Sequence, residues 1–331
     1  MRSSLYQRSR NYSAPAFLAR TILMQPRVVG DMGVVERQLE ELKAQCKADD
    51  DEVVSRVSRG ETIETIEEMS PGYLETLVEF MLTQHDTEIM SACAYHPAAT
   101  QKAPTLDAKI SGSAVVQDEI GHANLGYRVL SDLGFDKEAL MYEREPTEWR
   151  NMRVFDEPFE NFAEFACGVG FYDRAGTIQI GDIEENCSFG PWRRYERKVV
   201  AEEGFHKRLG DMWFKRLGSG TPEQQQALED AVDKMFPKAI AFLGHPEKEG
   251  KAIQQIRKYN LREGTNYEHR QEWLKQVYQT FEPLEVDIPI SHDEDEDEYD
   301  VTFDMDWKGV YSEWKESPGP VDHIQTVKGV A

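Results

Sequence analysis

The stretch VVQDEIGHANLGY, residues 115–127, contains a Glu-x-x-His motif formed by Glu119 and His122. A second copy, formed by Glu203 and His206, lies in AEEGFH, residues 201–206. Residues three positions apart project from the same face of an α-helix, so each pair could hold a metal ion from one side. One such match is weak evidence, because short motifs also arise by chance in helical proteins. The surrounding sequence therefore decides what the two motifs mean.

Each motif is preceded by a carboxylate at nearly the same distance. Glu88 lies 31 residues before Glu119, and Asp173 lies 30 residues before Glu203. The chain thus contains two similar helical hairpins, each with a carboxylate followed by Glu-x-x-His, which is the ligand pattern of a di-iron four-helix bundle. The predicted metal ligands, which are also the predicted catalytic residues, are Glu88, Glu119, His122, Asp173, Glu203 and His206.

The context of Asp173 supports a metal site. It lies in the apolar stretch FACGVGFYDRAGTIQI, residues 165–180, where an unpaired carboxylate would be costly and a metal would neutralise it. The alternative is a buried ion pair with Arg174 or another satisfied polar core. Carboxylates and imidazoles without thiolates favour iron or manganese over zinc. His85 and Asp118 are expected either to support the ligands by hydrogen bonds or to be ordinary surface residues.

Four long segments rich in helix formers carry these residues, separated by proline, glycine or polar breaks. They predict an all-α fold, a ferritin-like four-helix bundle. The 25-residue connection that contains Pro146 and Pro158 is long enough for the one crossover of such a bundle. The bundle helices are predicted over residues 72–95, 104–133, 159–186 and 191–217, and further packed helices over 222–243 and 248–279.

Composition predicts the remaining organisation. Residues 1–33 are expected to be a flexible N-terminal arm, although their arginines, serines and lack of acids before Asp31 are also typical of an organelle transit peptide. The run DEDEDEYD, residues 293–300, holds seven acids and is expected to be a mobile, solvated loop rather than a partner-binding site. The predicted segments are the arm, flanking helices over 34–68, a ferritin-like di-iron domain with packed C-terminal helices over 69–280, and an acidic, partly irregular tail over 281–331.

Charge and composition also exclude several classes of partner. The chain has 38 basic and 61 acidic residues, and its net charge of −23 argues against nucleic acid or an anionic membrane as a partner. It contains no apolar run of about 18 residues, the length that a membrane-spanning helix requires. The four cysteines form no CxxC motif, so neither a zinc ribbon nor a disulfide framework is predicted, and a cytoplasmic location is expected.

Six segments resemble the phenylacetic acid catabolic protein family over roughly residues 70–265. They are QHDTEI (84–89), KAPTL (102–106), VVQDEIGHANLGY (115–127), SFGPW (188–192), AEEGFH (201–206) and the segment around Asp173. The resemblance implies a di-iron centre held by the same six residues, with an Asp on the third helix where many di-iron bundles have Glu. Because all six positions are retained, the chain is similar to the catalytic members of the family and not to its structural members, which have lost ligands.

The resemblance also implies an activity. A catalytic subunit of this kind belongs to a multicomponent di-iron monooxygenase that epoxidises the aromatic ring of phenylacetyl-CoA, or of a related acyl-CoA, with dioxygen. Electrons are expected from NADPH through a separate reductase subunit that contains FAD and an iron–sulfur centre, and a structural ferritin-like subunit is expected as a partner. The alternatives are a non-catalytic structural subunit of such a complex and a ferritin-like ferroxidase or storage protein.

The phosphates of coenzyme A would require basic residues near the site. Arg150 and Arg153 lie in WRNMRVF, residues 149–155, which resembles a CoA-contacting loop of the family, and Arg257 and Lys258 lie in IRKY, residues 256–259. Each pair is equally expected to be a solvated surface cluster. The helix before Glu88 is less polar than its counterpart in the family, so an acyl group other than phenylacetyl is also consistent with the sequence.

Overall fold

Four long antiparallel helical segments form the centre of the structure, a computed structural model that describes residues 32–246 and 250–329. The arm predicted over residues 1–33, with its alternative as a targeting segment, lies outside the described residues except for Met32 and Gly33. The elements are α1 (Val34–Lys43), α2 (Asp50–Ser58), α3 (Pro71–His96), α4 (Leu106–Asp132), α5 (Lys137–Tyr142), α6 (Phe162–Cys167), α7 (Asp173–Asn186), α8 (Gly190–Gly218), α9 (Pro222–Phe242), α10 (Lys251–Lys258), α11 (Asn266–Phe281), β1 (Ile290–Asp293), β2 (Glu298–Val301), α12 (Trp307–Glu316) and α13 (Val321–Val327).

The bundle consists of α3, α4, α6 with α7, and α8, and it confirms the predicted all-α, ferritin-like fold. Helix α3 packs along α4, and α7 packs along α8. Local capping explains where the helices begin, since the Ser70 hydroxyl accepts a hydrogen bond from the Tyr73 amide and the Thr105 hydroxyl accepts one from the Ala108 amide. Pro71 and Pro191 occupy first-turn positions, where a missing N–H carries no penalty. The predicted helices over 72–95, 104–133 and 191–217 match α3, α4 and α8 within two residues at each end.

The third bundle helix is interrupted by a turn of π-helix. The sequence predicts one helix over residues 159–186, but α6 begins only at Phe162 and is followed by a π-turn at Gly168–Tyr172 before α7 starts at Asp173. A π-turn inserts an extra residue into a helix and shifts the direction of the side chains that follow it. The turn packs so closely against Gly210 of α8 that a Cβ atom at this glycine would lie only 2.4 Å from the Cα of Gly170.

The long connection between α4 and α6 is held by a buried ion pair. Arg144 donates hydrogen bonds of 2.7 Å to both carboxylate oxygens of Asp86 on α3, and both side chains are fully excluded from solvent. The Tyr127 hydroxyl donates a third bond to Asp86 at 2.5 Å, and the guanidinium of Arg144 lies 4.0 Å from the centre of the Trp149 ring. These contacts attach the crossover to the bundle two residues before Glu88.

The C-terminal region differs from the prediction in two places. The helix predicted over 248–279 is two helices, α10 and α11, because the chain turns at Asn260, whose φ of +52° ends the first helix. The acidic run is not a mobile loop but part of a hairpin in which Ile290 pairs with Val301. Its acids concentrate at the turn, whereas Tyr299 is buried and stacks on His292 at 4.2 Å. Alternation along the strands thus separates the charges from the core.

Two apolar cores flank the polar centre of the bundle. One includes Phe171 and Trp273 and extends under α9, α11 and the C-terminal helices. The other includes Leu74 and Trp192 and extends under α1, α2 and α10. Within residues 32–246 and 250–329, none of the helices combines the length and the apolar character needed to cross a membrane.

Candidate metal centre

The six predicted ligand residues converge in the middle of the bundle. Their ligand-type atoms form two groups, and the atoms of each group lie within 4.8 Å of one another. Both groups contain Glu119 and Glu203, so these two carboxylates stand between the groups. No member is more than 6% exposed. The first group is Glu88, Glu119, His122 and Glu203, and the second is Glu119, Asp173, Glu203 and His206. We refer to the six residues as the carboxylate–histidine cluster.

Five polar atoms of the cluster make no hydrogen bond with the described residues, although the two imidazole Nδ1 atoms lie 3.2–3.6 Å from carboxylate oxygens of the cluster. The five atoms are Oε1 of Glu119, Nδ1 of His122, Oδ2 of Asp173, Oε2 of Glu203 and Nδ1 of His206. Buried polar atoms without partners are costly, and cations placed among these atoms would satisfy all of them. Oxygen and imidazole donors without a thiolate suit iron or manganese. The cluster therefore fits a pair of such ions.

The outward nitrogen of each histidine faces a carboxylate from the other hairpin. Nε2 of His122 lies 3.0 Å from Glu202, and Nε2 of His206 lies 3.3 Å from Asp118. An acceptor at Nε2 favours the tautomer that carries its proton there, which leaves the lone pair of Nδ1 directed into the cluster. Asp118 was among the predicted supporting residues, but Glu202 was missed. The sequence contained a usable sign, since an acid directly precedes the Glu of both motifs.

Two hydroxyl groups hold carboxylates of the cluster. The Tyr95 hydroxyl donates a hydrogen bond of 2.6 Å to Oδ1 of Asp173, which leaves Oδ2 facing inward. The Ser91 hydroxyl donates to Oε2 of Glu119 in the same way. The alternative prediction of an ion pair between Asp173 and Arg174 is wrong, because the guanidinium of Arg174 turns away and bonds to Asp211 and to the carbonyl of Gly170.

His85 lies outside the cluster. Its Nε2 is 2.7 Å from the Tyr195 hydroxyl. Its ring packs against the backbone of Gly126 so closely that a Cβ atom at that position would lie only 2.0 Å from Cδ2 of His85. Burial lowers the pKa of His85 to about 3, so the ring is neutral at physiological pH. His85 is therefore a packing residue beside the cluster and not one of its members.

Burial and mutual repulsion perturb the carboxyl groups of the cluster. Burial, with the charges of Glu88 and Glu203, raises the pKa of Glu119 to about 8, and burial with the charge of Glu119 raises the pKa of Asp173 to about 7. Burial alone would lower the pKa of His122, but the carboxylates of Glu203 and Glu88 raise it to about 12. Without cations the cluster thus retains protons, which bound metal ions would displace.

Two neighbouring cavities share part of their lining, and the inner one borders the cluster. The inner cavity, of ≈ 90 Å³, is bordered by Glu88, Glu119, Asp173 and Glu203 and by apolar side chains such as Phe155. The outer cavity, of ≈ 370 Å³, is bordered by residues of α10 and α12 and by His245 and Lys315. The two cavities share six lining residues, which we call the neck. The neck consists of Phe80, Thr83, Met152, Gln179, Phe242 and Arg262.

The basic residues predicted to contact CoA are not brought together. Arg150 pairs with Glu79 at 3.0 Å, Arg153 with Asp156, and Lys258 with Asp50, while Nε of Arg257 donates to the Glu263 carbonyl at 3.0 Å. None of the four borders the inner or the outer cavity, and their role in CoA binding stays a prediction. The buried guanidinium that borders both cavities is Arg262, which sequence reasoning missed although it closely follows the basic IRKY segment.

Known proteins are similar to this chain. The family described as "Phenylacetic acid catabolic protein" matches residues 38–321, a range that includes the whole carboxylate–histidine cluster. The A subunit of 1,2-phenylacetyl-CoA epoxidase from Escherichia coli (strain K12) is 25% identical over 234 residues, 71% of this chain and 75% of that protein. The C subunit of the same epoxidase is 23% identical over 136 residues, 40% of this chain and 54% of that protein.

Proposed function

The chain belongs to the phenylacetic acid catabolic protein family, and we propose that it is the catalytic subunit of a multicomponent di-iron monooxygenase that acts on an acyl-CoA. The complete carboxylate–histidine cluster is the observation that carries this proposal. The cluster contains six buried ionisable residues, and five of their polar atoms make no hydrogen bond with the described residues. Without bound cations, such a cluster reduces the stability of the folded protein. This arrangement supports a catalytic subunit over a purely structural one.

The proposed ligand assignment follows the two groups. Glu88 and His122 would serve one iron ion, Asp173 and His206 the other, and Glu119 and Glu203 would serve both. When bound, the iron pair would supply the redox chemistry that activates dioxygen. The protein's own contribution is to orient the imidazoles through their outward acceptors, to hold Asp173 through Tyr95, and to exclude water with the apolar walls of the inner cavity.

The proposed substrate is phenylacetyl-CoA or a related acyl-CoA, epoxidised on its ring. An apolar chamber beside the cluster suits an aryl or acyl group, and a larger chamber with cationic residues at its border suits the remainder of a CoA thioester. The two relatives are named as different subunits of one epoxidase, which supports a structural ferritin-like partner. Electron supply from NADPH through a FAD and iron–sulfur reductase completes the proposal.

Metal content tests the catalytic assignment. Purified protein loaded anaerobically with Fe(II) should retain two iron ions per chain, and Glu203→Ala and His206→Ala should lose both the metal and turnover with the reductase. Glu185→Ala, which changes an exposed acid on α7, is the matched control and should behave like the wild type. Full activity in the Glu203 or His206 variants would contradict the proposal. A metal-free chain that still assembles with its partner would instead indicate a structural role.

Product analysis tests the reaction. With a reductase, NADPH and dioxygen, phenylacetyl-CoA should gain one oxygen atom, and the gain should depend on the acyl-CoA. Iron oxidation that continues beyond two ions per chain in the absence of acyl-CoA would favour a ferroxidase instead.

A further inference from the structure

Gln84 borders the inner cavity and carries a buried hydrogen-bond acceptor. It lies on α3 one turn before Glu88, on the same helix face, and borders this cavity. Its Oε1 atom is buried and receives no hydrogen bond from the described residues. A buried carbonyl oxygen without a donor, in a largely apolar chamber, is costly unless a ligand supplies the donor.

Hydrogen bonds to Glu196 on α8 hold the orientation of this amide. Nε2 of Gln84 donates to Oε1 of Glu196 at 2.9 Å, and the indole N–H of Trp192 donates to the same oxygen at 2.5 Å. Because the Trp192 indole already donates to this oxygen, the oxygen serves as the acceptor for Nε2 of Gln84, which leaves Oε1 on the other side of the amide without a partner among the described residues. Glu196 is fully buried and lies on α8 two turns before Glu203. The acceptor is therefore held by the rigid bundle and not by a loop.

The position of Gln84 along α3 indicates which part of a ligand it would meet. Phe80 and Thr83 belong to the neck, whereas Glu88 and Ser91 border only the inner cavity. Gln84 thus lies just inside the neck, about 10 Å along the helix axis from Ser91. An acyl group that reached Ser91 would place its thioester linkage, and the arm that follows, beside Gln84.

We propose that Gln84 is a substrate-positioning residue whose Oε1 accepts a hydrogen bond from the amide N–H nearest the sulfur in the pantetheine arm of an acyl thioester. This contact would set how far the acyl group enters the inner cavity and which of its carbons faces the carboxylate–histidine cluster. The inference rests on the proposed function, because it takes the ligand to be an acyl-CoA. Gln179, a neck residue whose amide makes no hydrogen bond within the described residues, offers a further polar contact to the same arm.

A matched pair of ligands tests the proposal. The N-acetylcysteamine thioester of phenylacetate contains the amide N–H, and its S-(4-oxopentyl) counterpart replaces that N–H with a methylene. Dissociation constants are measured by calorimetry on the metal-free full chain, so that the result does not depend on turnover. The wild type should bind the N–H thioester about tenfold more tightly, the difference expected for one hydrogen bond in a buried site.

Two sets of variants locate the effect. Gln84→Met should remove the preference by weakening only the N–H thioester. Glu196→Gln keeps an acceptor for Gln84 and Trp192 and should retain the preference, whereas Glu196→Leu should lose it. A simple packing role for Gln84 would alter the binding of both thioesters equally. Thermal unfolding of each variant confirms that it is folded, and the wild-type comparison stands by itself if a variant is not.

The outcomes separate this inference from the proposed function. Equal binding of the two thioesters to the wild type, or a preference that survives in Gln84→Met, overturns the role of Gln84 and leaves the acyl-CoA assignment intact. If neither thioester nor phenylacetyl-CoA binds a chain that still loads two iron ions, the proposed substrate class fails and the role of Gln84 fails with it.

Discussion

The Glu202 carboxylate lies 3.0 Å from Nε2 of His122, although the two residues belong to different helical hairpins. Asp118 has the same relation to Nε2 of His206, at 3.3 Å. Each hairpin therefore orients the histidine of the other, and the geometry of the carboxylate–histidine cluster depends on how α4 packs against α8. Neither hairpin alone would place both imidazoles correctly.

Removing the acceptor behind His122 should weaken metal binding. In Glu202→Leu the ring loses the group that fixes its tautomer, and the affinity for Fe(II) or Co(II) is expected to fall about 10- to 100-fold. Glu202→Gln keeps an oxygen and should lose less. Lys198→Met is the control, because it removes an exposed cation that pairs with Glu202 but leaves the contact with His122. Anaerobic metal titration measures the effect, and an unchanged affinity in Glu202→Leu would refute it.

Breaking the buried ion pair of the crossover should destabilise the fold strongly. Asp86→Ala leaves the charge of Arg144 buried without its partner, and we expect a loss of about 3–5 kcal/mol in the free energy of unfolding. Glu64→Ala breaks the exposed pair with Arg194 and should cost less than about 1 kcal/mol. Urea denaturation compares the two variants. Similar losses in both would mean that burial of the first pair has no energetic consequence.

Acid should remove the stabilising contribution of Asp182. Burial alone would raise its pKa, but hydrogen bonds from His269, Asn186 and the backbone of Glu263 and Gly264 hold the pKa well below its ordinary value. The pKa of Asp182 in the folded state is therefore lower than its unfolded value of about 3.9. The ionised Asp182 carboxylate stabilises the folded protein fully above the unfolded pKa, and this stabilisation disappears as the pH falls through the folded pKa.

Asp182→Asn should consequently be less stable than the wild type at neutral pH, and its stability should fall less between about pH 5 and pH 2. The free energy of unfolding in urea, measured across that range, tests the difference. Asp132→Asn, at an exposed position, should follow the wild type. Curves for Asp182→Asn and the wild type that stay parallel throughout would show that Asp182 makes no such contribution.

The close approach of α8 to the π-turn should not tolerate a side chain. A Cβ atom on Gly210 would meet the backbone of Gly170 at 2.4 Å, so Gly210→Ala should cost about 1–3 kcal/mol. Gly181→Ala on α7 is the matched control, since no described atom beyond its chain neighbours and its own helix backbone lies within 4 Å of the Cβ position, and it should gain about 0.5–1 kcal/mol from higher helix propensity. Thermal unfolding measures both, and equal behaviour would contradict the packing argument.

Local sequence was sufficient for the bundle and for the positions that meet at its centre. Glu119 and His122 lie on one face because helix geometry places residues three apart together, and the same holds for Glu203 and His206. The spacing of Glu88 and Asp173 from these motifs required only two hairpins of similar length. The prediction that the acidic run is a mobile loop was wrong. The charges are apparent in the sequence, but Tyr299 becomes buried, and the two strands form, only when a core is present for Tyr299 to pack against.

Tertiary structure alone decided which groups support and line the cluster. Glu202 meets His122, Tyr95 meets Asp173, and Glu196 meets Gln84 across separations of 78 to 112 residues. Such contacts depend on the register in which packed helices meet, and register is set by the whole core and not by local backbone hydrogen bonds. For this reason the sequence predicted which residues form the carboxylate–histidine cluster, whereas the cavity that borders it, and the amide of Gln84 beside that cavity, became visible only in the folded chain.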